Sequence, residues 1–360
     1  MKKISIIFPK DSEAVFYPQS TRTFGGATAQ LYMLRSALLE MPDVTVSSIV
    51  LDYGYSNVES SMLSDVVFSF NENDNFVLKA LKFLKAIHAS KSEYIIQRGL
   101  TVFSCFLAVY CRIVNKKLIF MFAHDRESKG RYQKNNEKCY IFSLLLIFSH
   151  KLVVQSQNQK KRLPDYVMDK TVHLNSGYQL SKKALDRNKR KNILWVGRLE
   201  SWKRPEEFIS LAKSFPEYNF IMVAPTVRGK EKYSDSLIEK IREVRNIKLV
   251  PFVSFDKISD YFRNAILFVN TSKTEGFPNT FVQSMVEGTP ILALKVDPDK
   301  VISRNNLGIS CEDDKDLFYS SFRRIVTDEE SWKKYSDLSY HYALQKHDIR
   351  KIAENLLLVI

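Results

Sequence analysis

Short apolar runs alternate with longer amphipathic segments from residue 1 to about residue 175. The runs of strand length are KISIIF, VTVSSIVL, EYIIQ, KKLIFMFAH and KLVVQS. In the longer segment GGATAQLYMLRSALLEM the apolar residues recur at helical spacing, which predicts a helix over residues 27–40 that ends before Pro42. Strand-length and helix-length segments in alternation predict βαβ units around a parallel sheet.

The same alternation resumes after a basic interruption. The segment SKKALDRNKRKN has no sustained apolar face and is interpreted as the connection between two domains. Strand-length runs follow at NILWVG, YNFIMVA, IKLVPFV and ILFVNTS, and the chain ends in a helical pattern without a further strand. We therefore predict an α/β protein with domains at 1–178 and 193–340, a basic linker at 179–192, and a C-terminal helix at 341–360 that can pack back on the first domain.

The composition narrows the class of protein and of partner. A length of 360 residues suits two domains, and 54 basic against 40 acidic residues give a formal charge of +14. This charge favours an anionic partner such as nucleic acid, a phosphate-bearing substrate or acidic lipid. No apolar run approaches the roughly 18 to 20 residues of a membrane span. The four cysteines lack CxxC spacing, so no zinc site or disulfide framework is indicated and a cytoplasmic protein is expected.

Candidate chemistry is concentrated in TSKTEGFPNTFVQSMVEGTPILALKVDPD, residues 271–299. Glu275 follows a predicted strand at its carboxyl end, where open α/β sheets place ligands. Gly276 permits a close backbone approach, and Pro278 suits the start of a helix predicted over 279–287. The exposed amides and the dipole at that helix start favour a phosphate. Alternatively, this is an ordinary strand-to-helix junction in which Glu275 is a solvated loop charge.

A second cluster, VGRLESWKRPEEF (196–208), favours a ligand over an ordinary junction. Arg198 and Lys203 follow the strand-length run NILWVG, ahead of a helix predicted to begin near Pro205. Two cations at the carboxyl edge of a strand suit a diphosphate, the arginine through its planar fork and the lysine as a point charge. Together the two clusters indicate a sugar-nucleotide site.

Residues 193–311 resemble the nucleotide-binding half of the retaining GT-B glycosyltransferases of the group 1 family. The resemblance rests on VGRLESWKRPEEFI, NIKLVPFV, YFRNAILFVNTS and EGFPNTFVQSMVEGTPILA. It implies a GT-B fold of two Rossmann-like domains that face each other across a cleft, with the donor held mainly by the C-terminal domain and the acceptor by the N-terminal one. The implied activity is transfer of a sugar from a UDP- or GDP-sugar to a glycan or lipid-linked acceptor in bacterial surface polysaccharide synthesis.

The resemblance also implies a donor-binding set. Arg198 and Lys203 would hold the diphosphate, and Glu275 would bind hydroxyls of the transferred sugar. Gln283 stands where the family motif has its second glutamate, and a neutral amide oxygen still accepts from ribose hydroxyls, more weakly than a carboxylate. The remaining members of the set on this helix start are Gly276, Phe277, Asn279 and Thr280.

In the N-terminal half the resemblance is carried by fewer residues. TFGGATAQLYML places Gly25 and Gly26 before the first helix, where the family's glycine loop meets donor phosphate and acceptor; the alternative is a plain helix start. FMFAHDRES places His124 after a strand, like the family histidine that faces the transferred sugar. Alternatively, this histidine is structural.

The implied reaction is a front-face displacement in which the leaving diphosphate accepts the acceptor's proton. Because cations and a helix dipole can neutralise that leaving group, neither a metal nor a cofactor is expected. Two alternatives remain: a noncatalytic binding subunit, favoured by Gln283, and a metal-dependent GT-A enzyme, favoured by the DxD pair Asp297 and Asp299. A nucleic-acid binder is disfavoured, because the basic residues are spread over both halves and no reading motif is present.

The segment NFVLKALKFLKAIHASK, residues 75–91, predicts a basic amphipathic helix. Lys79, Lys82 and Lys85 fall on one side of it, and apolar residues cover much of the rest. Such a helix can lie on anionic lipid, which would make the protein peripheral on the inner face of the plasma membrane. The alternative is a surface helix packed on the core.

Overall fold

The computed structural model describes residues 1–17, 20, 22–54, 64–128, 136–181, 184–226 and 231–360. The chain forms two compact units. Unit 1 comprises Met1–Gly177 and Ile349–Ile360, and unit 2 comprises Tyr178–Asp348. The chain enters unit 2 at Tyr178, directly before the predicted linker, and it returns to unit 1 at Ile349, within the segment predicted as a C-terminal helix that can pack back on the first domain.

The described part of unit 1 is built on a seven-stranded parallel sheet of order β3-β2-β1-β4-β5-β6-β7. Its order reverses between β1 and β4, which are hydrogen-bonded neighbours. The strands are β1 (Lys2–Ile7), β2 (Val44–Asp52), β3 (Val66–Asn71), β4 (Tyr94–Arg98), β5 (Lys117–Met121), β6 (Lys151–Val154) and β7 (Thr171–His173). The helices are α1 (Glu13–Phe16), α2 (Gly26–Leu39), α3 (Phe76–Ala89), α4 (Val102–Ile113), α5 (Asp125–Ser128), α6 (Asn136–Phe148) and α7 (Gln157–Lys160).

Within its described residues, unit 2 has a six-stranded parallel sheet of order β10-β9-β8-β11-β12-β13. Here the order reverses between β8 and β11, which also pair directly. The strands are β8 (Asn192–Val196), β9 (Asn219–Val223), β10 (Ile247–Val250), β11 (Ala265–Asn270), β12 (Ile291–Ala293) and β13 (Gly308–Ser310). The helices are α8 (Pro205–Ser214), α9 (Glu231–Arg242), α10 (Ile258–Arg263), α11 (Asn279–Val286), α12 (Val301–Asn305), α13 (Lys315–Thr327) and α14 (Glu329–Lys346).

The segment predicted as one C-terminal helix, 341–360, is divided in the structure. Its first part ends α14, and the chain then continues into α15 (Ile349–Val359) in unit 1. The apolar face of α15 shares a buried cluster with Leu31 of α2, and Lys2 Nζ donates to the carbonyl of Ile360 at 2.8 Å. The amphipathic pattern predicted a helix, whereas only packing decided which unit it joins.

The predicted linker, 179–192, belongs to unit 2, and its described residues are anchored there. Arg190 is buried, and its guanidinium donates to the carbonyls of Ala265 and Glu287 and to Thr289 Oγ1 at 2.7 to 3.0 Å. This burial lowers the pKa of Arg190 to about 10. A basic composition alone does not distinguish a solvated arginine from one that satisfies buried carbonyls.

Candidate functional site

The two clusters predicted from sequence in unit 2, one basic and one acidic, lie at the same edge of its sheet. The loop with Arg198 and Lys203 follows β8, and the loop with Glu275 follows β11. These two strands are neighbours at the point where the strand order reverses. Open parallel sheets have a crevice at this point, outside the carboxyl ends of the strands, where ligands bind. The fold therefore brings together residues that are more than seventy positions apart in sequence.

An ion pair joins the two loops. Lys203 Nζ donates to Glu275 Oε1, and Ser272 Oγ donates to the same oxygen at 2.9 Å. The side chains of the pair are only 16% and 10% exposed, so the surrounding protein screens their attraction less than water would. The ammonium also lies 4.3 Å from the centroid of the Trp202 ring. The carboxylate of Glu275 is thus fixed by Lys203 and Ser272 and is not a freely solvated loop charge.

Hydrogen bonds fix the loop that carries Lys203 against the end of β11. Thr271 Oγ1 accepts from Trp195 Nε1 at 2.9 Å and donates to the carbonyl of Lys203 at 2.6 Å. The amide of Lys273 donates to the carbonyl of Trp202 at 2.8 Å. Because both strands hold this loop, the position of Lys203 depends on the sheet rather than on the loop alone.

Arg198 pairs with a different carboxylate. Its guanidinium is 3.3 Å from Glu200 Oε2 and its side chain is about half exposed. The same Glu200 oxygen accepts from Trp202 Nε1 at 3.0 Å. Sequence reasoning missed Glu200, although it lies within the quoted motif, because a carboxylate was not expected beside a diphosphate-binding arginine.

Sequence reasoning also missed Arg204, whose side chain contacts other parts of unit 2. It occupies the left-handed region with φ +50° immediately before α8. Its guanidinium donates to the carbonyl of Thr271 at 2.6 Å and pairs with Asp313. Lys295 and Arg204 both lower the pKa of that aspartate, Lys295 more strongly. Of two adjacent cations, Lys203 therefore contacts Glu275 and Arg204 ties β11 to the segment after β13.

Helix α11 begins where the turn predicts it. Asn279 and Thr280 form its first turn and are partly exposed, whereas Gly276 is buried. The ring of Phe277 lies 5.4 Å from that of His347, which follows α14, so its side chain packs within unit 2. Gln283 lies one turn along and is 9% exposed. The amides at the helix start and Gln283 lie on the element that directly follows Glu275.

In unit 1 a carboxylate from an earlier loop is hydrogen-bonded to the start of α2. The amide of Gly25 donates to Asp11 Oδ2, and Thr28 Oγ1 donates to Asp11 Oδ1. A side chain at residue 25 would place its Cβ 3.0 Å from that aspartate oxygen. Gly26 opens the helix. The resemblance implied that this glycine loop meets a donor phosphate. In the structure, donors at the start of α2 bind the carboxylate of Asp11 instead, and Asp11 was not singled out from sequence.

His124 follows β5 in unit 1 and is partly buried. Beside it Glu127 accepts from the amide of Ala123 at 2.7 Å and from that of Leu100 at 3.2 Å. This carboxylate, also missed from sequence, ties the ends of β4 and β5 together. His124 lies at a strand end, as predicted, and its amide donates to Glu127 Oε2 at 3.4 Å.

The first aspartate of the DxD pair has a structural use. Asp297 accepts from the amides of Ile302 and Ser303 at 2.8 and 3.1 Å, and from Ser303 Oγ at 2.8 Å, so its carboxylate caps α12. Among the residues that the structure describes, no group of three or more His, Cys, Asp or Glu side chains is arranged to hold a metal. Within the same part of the chain, no helix is long and apolar enough to cross a bilayer.

Two parallel α/β units, each with a reversal of strand order, define the GT-B class of fold, and solved structures agree. Sucrose-phosphate synthase from Thermosynechococcus elongatus matches with a TM-score of 0.78 over 100% of this chain and 98% of that one, at 15% identity. Anabaena HepE in complex with UDP and glucose matches with a TM-score of 0.74 over 99% of both chains, also at 15% identity. The GT-B fold excludes the alternative that this protein has the GT-A fold.

Residues 179–341, which include most of unit 2, match the model of the family Glycosyl transferases group 1. An uncharacterized glycosyltransferase of Haemophilus influenzae is 25% identical over 49% of this chain and 50% of its own length. The amylovoran biosynthesis glycosyltransferase AmsD of Erwinia amylovora is 22% identical over 53% of this chain and 57% of its own length. The chain thus spans little more than half the length of these curated relatives.

Proposed function

We propose that this protein is a glycosyltransferase that moves a sugar from a UDP- or GDP-sugar to a glycan or lipid-linked acceptor with retention of configuration. The observation that carries the proposal is the pairing of Lys203 with Glu275 beside the start of α11, at the reversal point of the unit 2 sheet. One relative is named for amylovoran biosynthesis, which supports a role in surface polysaccharide synthesis. We propose the cytoplasm, at the inner face of the plasma membrane, as the location.

Each part of this site has chemistry that suits a nucleotide sugar. Lys203 and the half-exposed Arg198 offer positive charge to a diphosphate, and the α11 amides offer hydrogen bonds to the same group. When phosphate oxygens bind the Lys203 ammonium, Glu275 becomes free to accept from sugar hydroxyls. Gln283 would accept from the ribose, and Gly276, Phe277, Asn279 and Thr280 would line the path between them.

The proposed transfer needs no protein nucleophile. The bond between the sugar carbon and the diphosphate oxygen breaks while the acceptor oxygen attacks from the same face. The acceptor proton passes to the leaving phosphate oxygen, so the charges balance. Arg198, Lys203 and the α11 dipole stabilise the developing negative charge, and we propose that no metal or cofactor takes part. His124, Gly25 and Gly26 are the proposed contributions of unit 1.

We expect one class of nucleotide sugar to raise the melting temperature. A donor at 100 times its Kd stabilises by about 2.7 kcal/mol, which corresponds to a shift of roughly 5 °C or more in a domain of this size. Thermal melting against UDP-, GDP- and other nucleotide sugars, with EDTA or Mn²⁺ added, measures the shift and its metal dependence.

Glu275→Ala and Arg198→Ala should reduce this shift, whereas Glu217→Ala, at an exposed position of unit 2, should leave it unchanged. A screen in which no nucleotide sugar stabilises the wild type would contradict the donor assignment. A shift that disappears in EDTA and returns with Mn²⁺ would contradict metal independence.

A noncatalytic binding subunit is the second candidate, and the neutral, largely buried Gln283 is the observation that favours it. We expect Gln283→Glu to lower the donor Kd about fivefold, because a carboxylate accepts from ribose hydroxyls about 1 kcal/mol more strongly than an amide. Calorimetry measures the Kd, and release of free nucleotide in the presence of acceptor measures turnover. Gln345→Glu, at an exposed position of α14, is the matched control. An unchanged Kd would show that Gln283 does not face the ribose.

A further inference from the structure

Exposed large apolar side chains are unevenly distributed over the described residues. Ten of seventeen lie on α3, α4 and α6 or directly at the end of α4, whereas unit 2 exposes only Leu317 and Leu338 in its described part. A single exposed apolar residue is ordinary, but a concentration on neighbouring helices of one unit marks an interaction surface.

The three helices form one layer on the unit 1 sheet. Their inward side chains, including Ile87, Ala108 and Leu145, share one buried cluster with β4 and β5. The rings of Phe76 and Phe103 stack at 5.7 Å and join the starts of α3 and α4 on the outside. The outward side chains, here called the α3–α4–α6 surface, include Phe76, Val77, Leu81, Phe103, Phe106 and Ile147, which are 36% to 68% exposed.

The charges on two of the three helices, α3 and α4, are of one sign. The sequences of α3 and α4 contain three lysines and one arginine and no Asp or Glu. Lys82, one of the three predicted lysines, is paired with Asp74 at 2.8 Å. Lys85 and Arg112 are exposed and Lys79 is partly exposed. The exposed carboxylate of Glu72 lies on the turn before α3, outside the helices.

We propose that the α3–α4–α6 surface binds the interfacial region of an anionic lipid bilayer. Exposed aromatic and aliphatic side chains can enter the boundary between headgroups and acyl chains, and the lysine and arginine heads lie at the level of anionic headgroups. The single sign of charge on α3 and α4 selects lipid over a second copy of this chain, because two such basic helices facing their copies would repel each other. The proposal is independent of the donor site, which lies in unit 2.

The test is flotation of the full chain with vesicles of neutral phosphatidylcholine or of a 7:3 mixture with phosphatidylglycerol. We expect binding to the anionic vesicles and loss of most of it at 1 M salt, where the screening length is about 3 Å. Lys79→Glu/Lys85→Glu should weaken binding at least about 25-fold, since each surface lysine contributes about fivefold. Leu81→Ser/Phe106→Ser should weaken it at least about tenfold at low salt.

The matched controls lie in unit 2 and make the same chemical changes at exposed positions. Leu317→Ser/Leu338→Ser and Lys333→Glu/Lys334→Glu should bind vesicles as the wild type does. Melting temperatures check that every variant folds, and size-exclusion chromatography records the oligomeric state. The proposal is overturned if the wild type does not bind anionic vesicles, if the unit 1 variants bind like the controls, or if those variants instead convert a dimer to a monomer. Nucleotide-sugar binding should be equal in all variants, which separates this test from that of the proposed function.

Discussion

Replacing Lys203 with alanine is expected to lower kcat/KM by about 100-fold to 1000-fold. Removing one preorganised group that stabilises a developing negative charge typically costs about 2.7 to 4 kcal/mol in the transition state. The Lys203 ammonium is the described cation that contacts Glu275. The carbonyl of Lys203 accepts from Thr271, which directly follows β11 and accepts in turn from Trp195 of β8. Steady-state transfer from the donor identified by thermal melting measures the effect. Lys273→Ala removes the same charge from an exposed position in the adjacent loop and should retain nearly full activity.

A double-mutant cycle separates catalysis from stability at this pair. Lys203→Ala leaves the Glu275 carboxylate, which is only 10% exposed, without its cation and should lower the melting temperature. Adding Glu275→Ala should restore much of that loss, because no uncompensated charge remains, but it should not restore transfer. If Lys203→Ala loses activity only in proportion to its unfolded fraction, the proposed role in catalysis is wrong.

Replacing Arg190 with alanine is expected to lower the free energy of unfolding by about 3 to 5 kcal/mol. The guanidinium donates to the carbonyls of Ala265 and Glu287 and to Thr289, and removing it leaves buried acceptors without donors. For a unit of this size the melting temperature should fall by about 10 °C. Chemical denaturation and thermal melting both measure the change.

Lys189→Ala is the matched control, because it removes a neighbouring charge whose side chain is 64% exposed. A change within about 0.5 kcal/mol is expected there. Should Arg190→Ala be as mild as this control, the description of Arg190 as an anchor of unit 2 would be wrong.

Glu287 shows why a site residue and a structural residue look alike in sequence. It lies one turn beyond Gln283 in the same motif, yet its carboxylate is 3% exposed and accepts from Ser181 and Ser259. These serines lie before β8 and in α10, so only the folded chain brings them to it. Motif position therefore indicates which helix carries a residue but does not tell what its side chain contacts.

The sequence alone determined the alternating α/β class and the helix starts, since apolar periodicity and the positions of glycine and proline are local properties. It also singled out Arg198, Lys203 and Glu275, because charges directly after strands in a parallel sheet collect at one edge. The pairing of Lys203 with Glu275, and the contacts of Glu200 and Asp11, depend on the tertiary structure.

The tertiary structure also decides the anchoring of Arg190, the division of the C-terminal segment between two units and the exposure of the α3–α4–α6 surface. Local pattern specifies which elements form. Which polar groups meet, and which apolar faces stay uncovered, depends on contacts between residues far apart in sequence, and composition and periodicity do not encode those contacts.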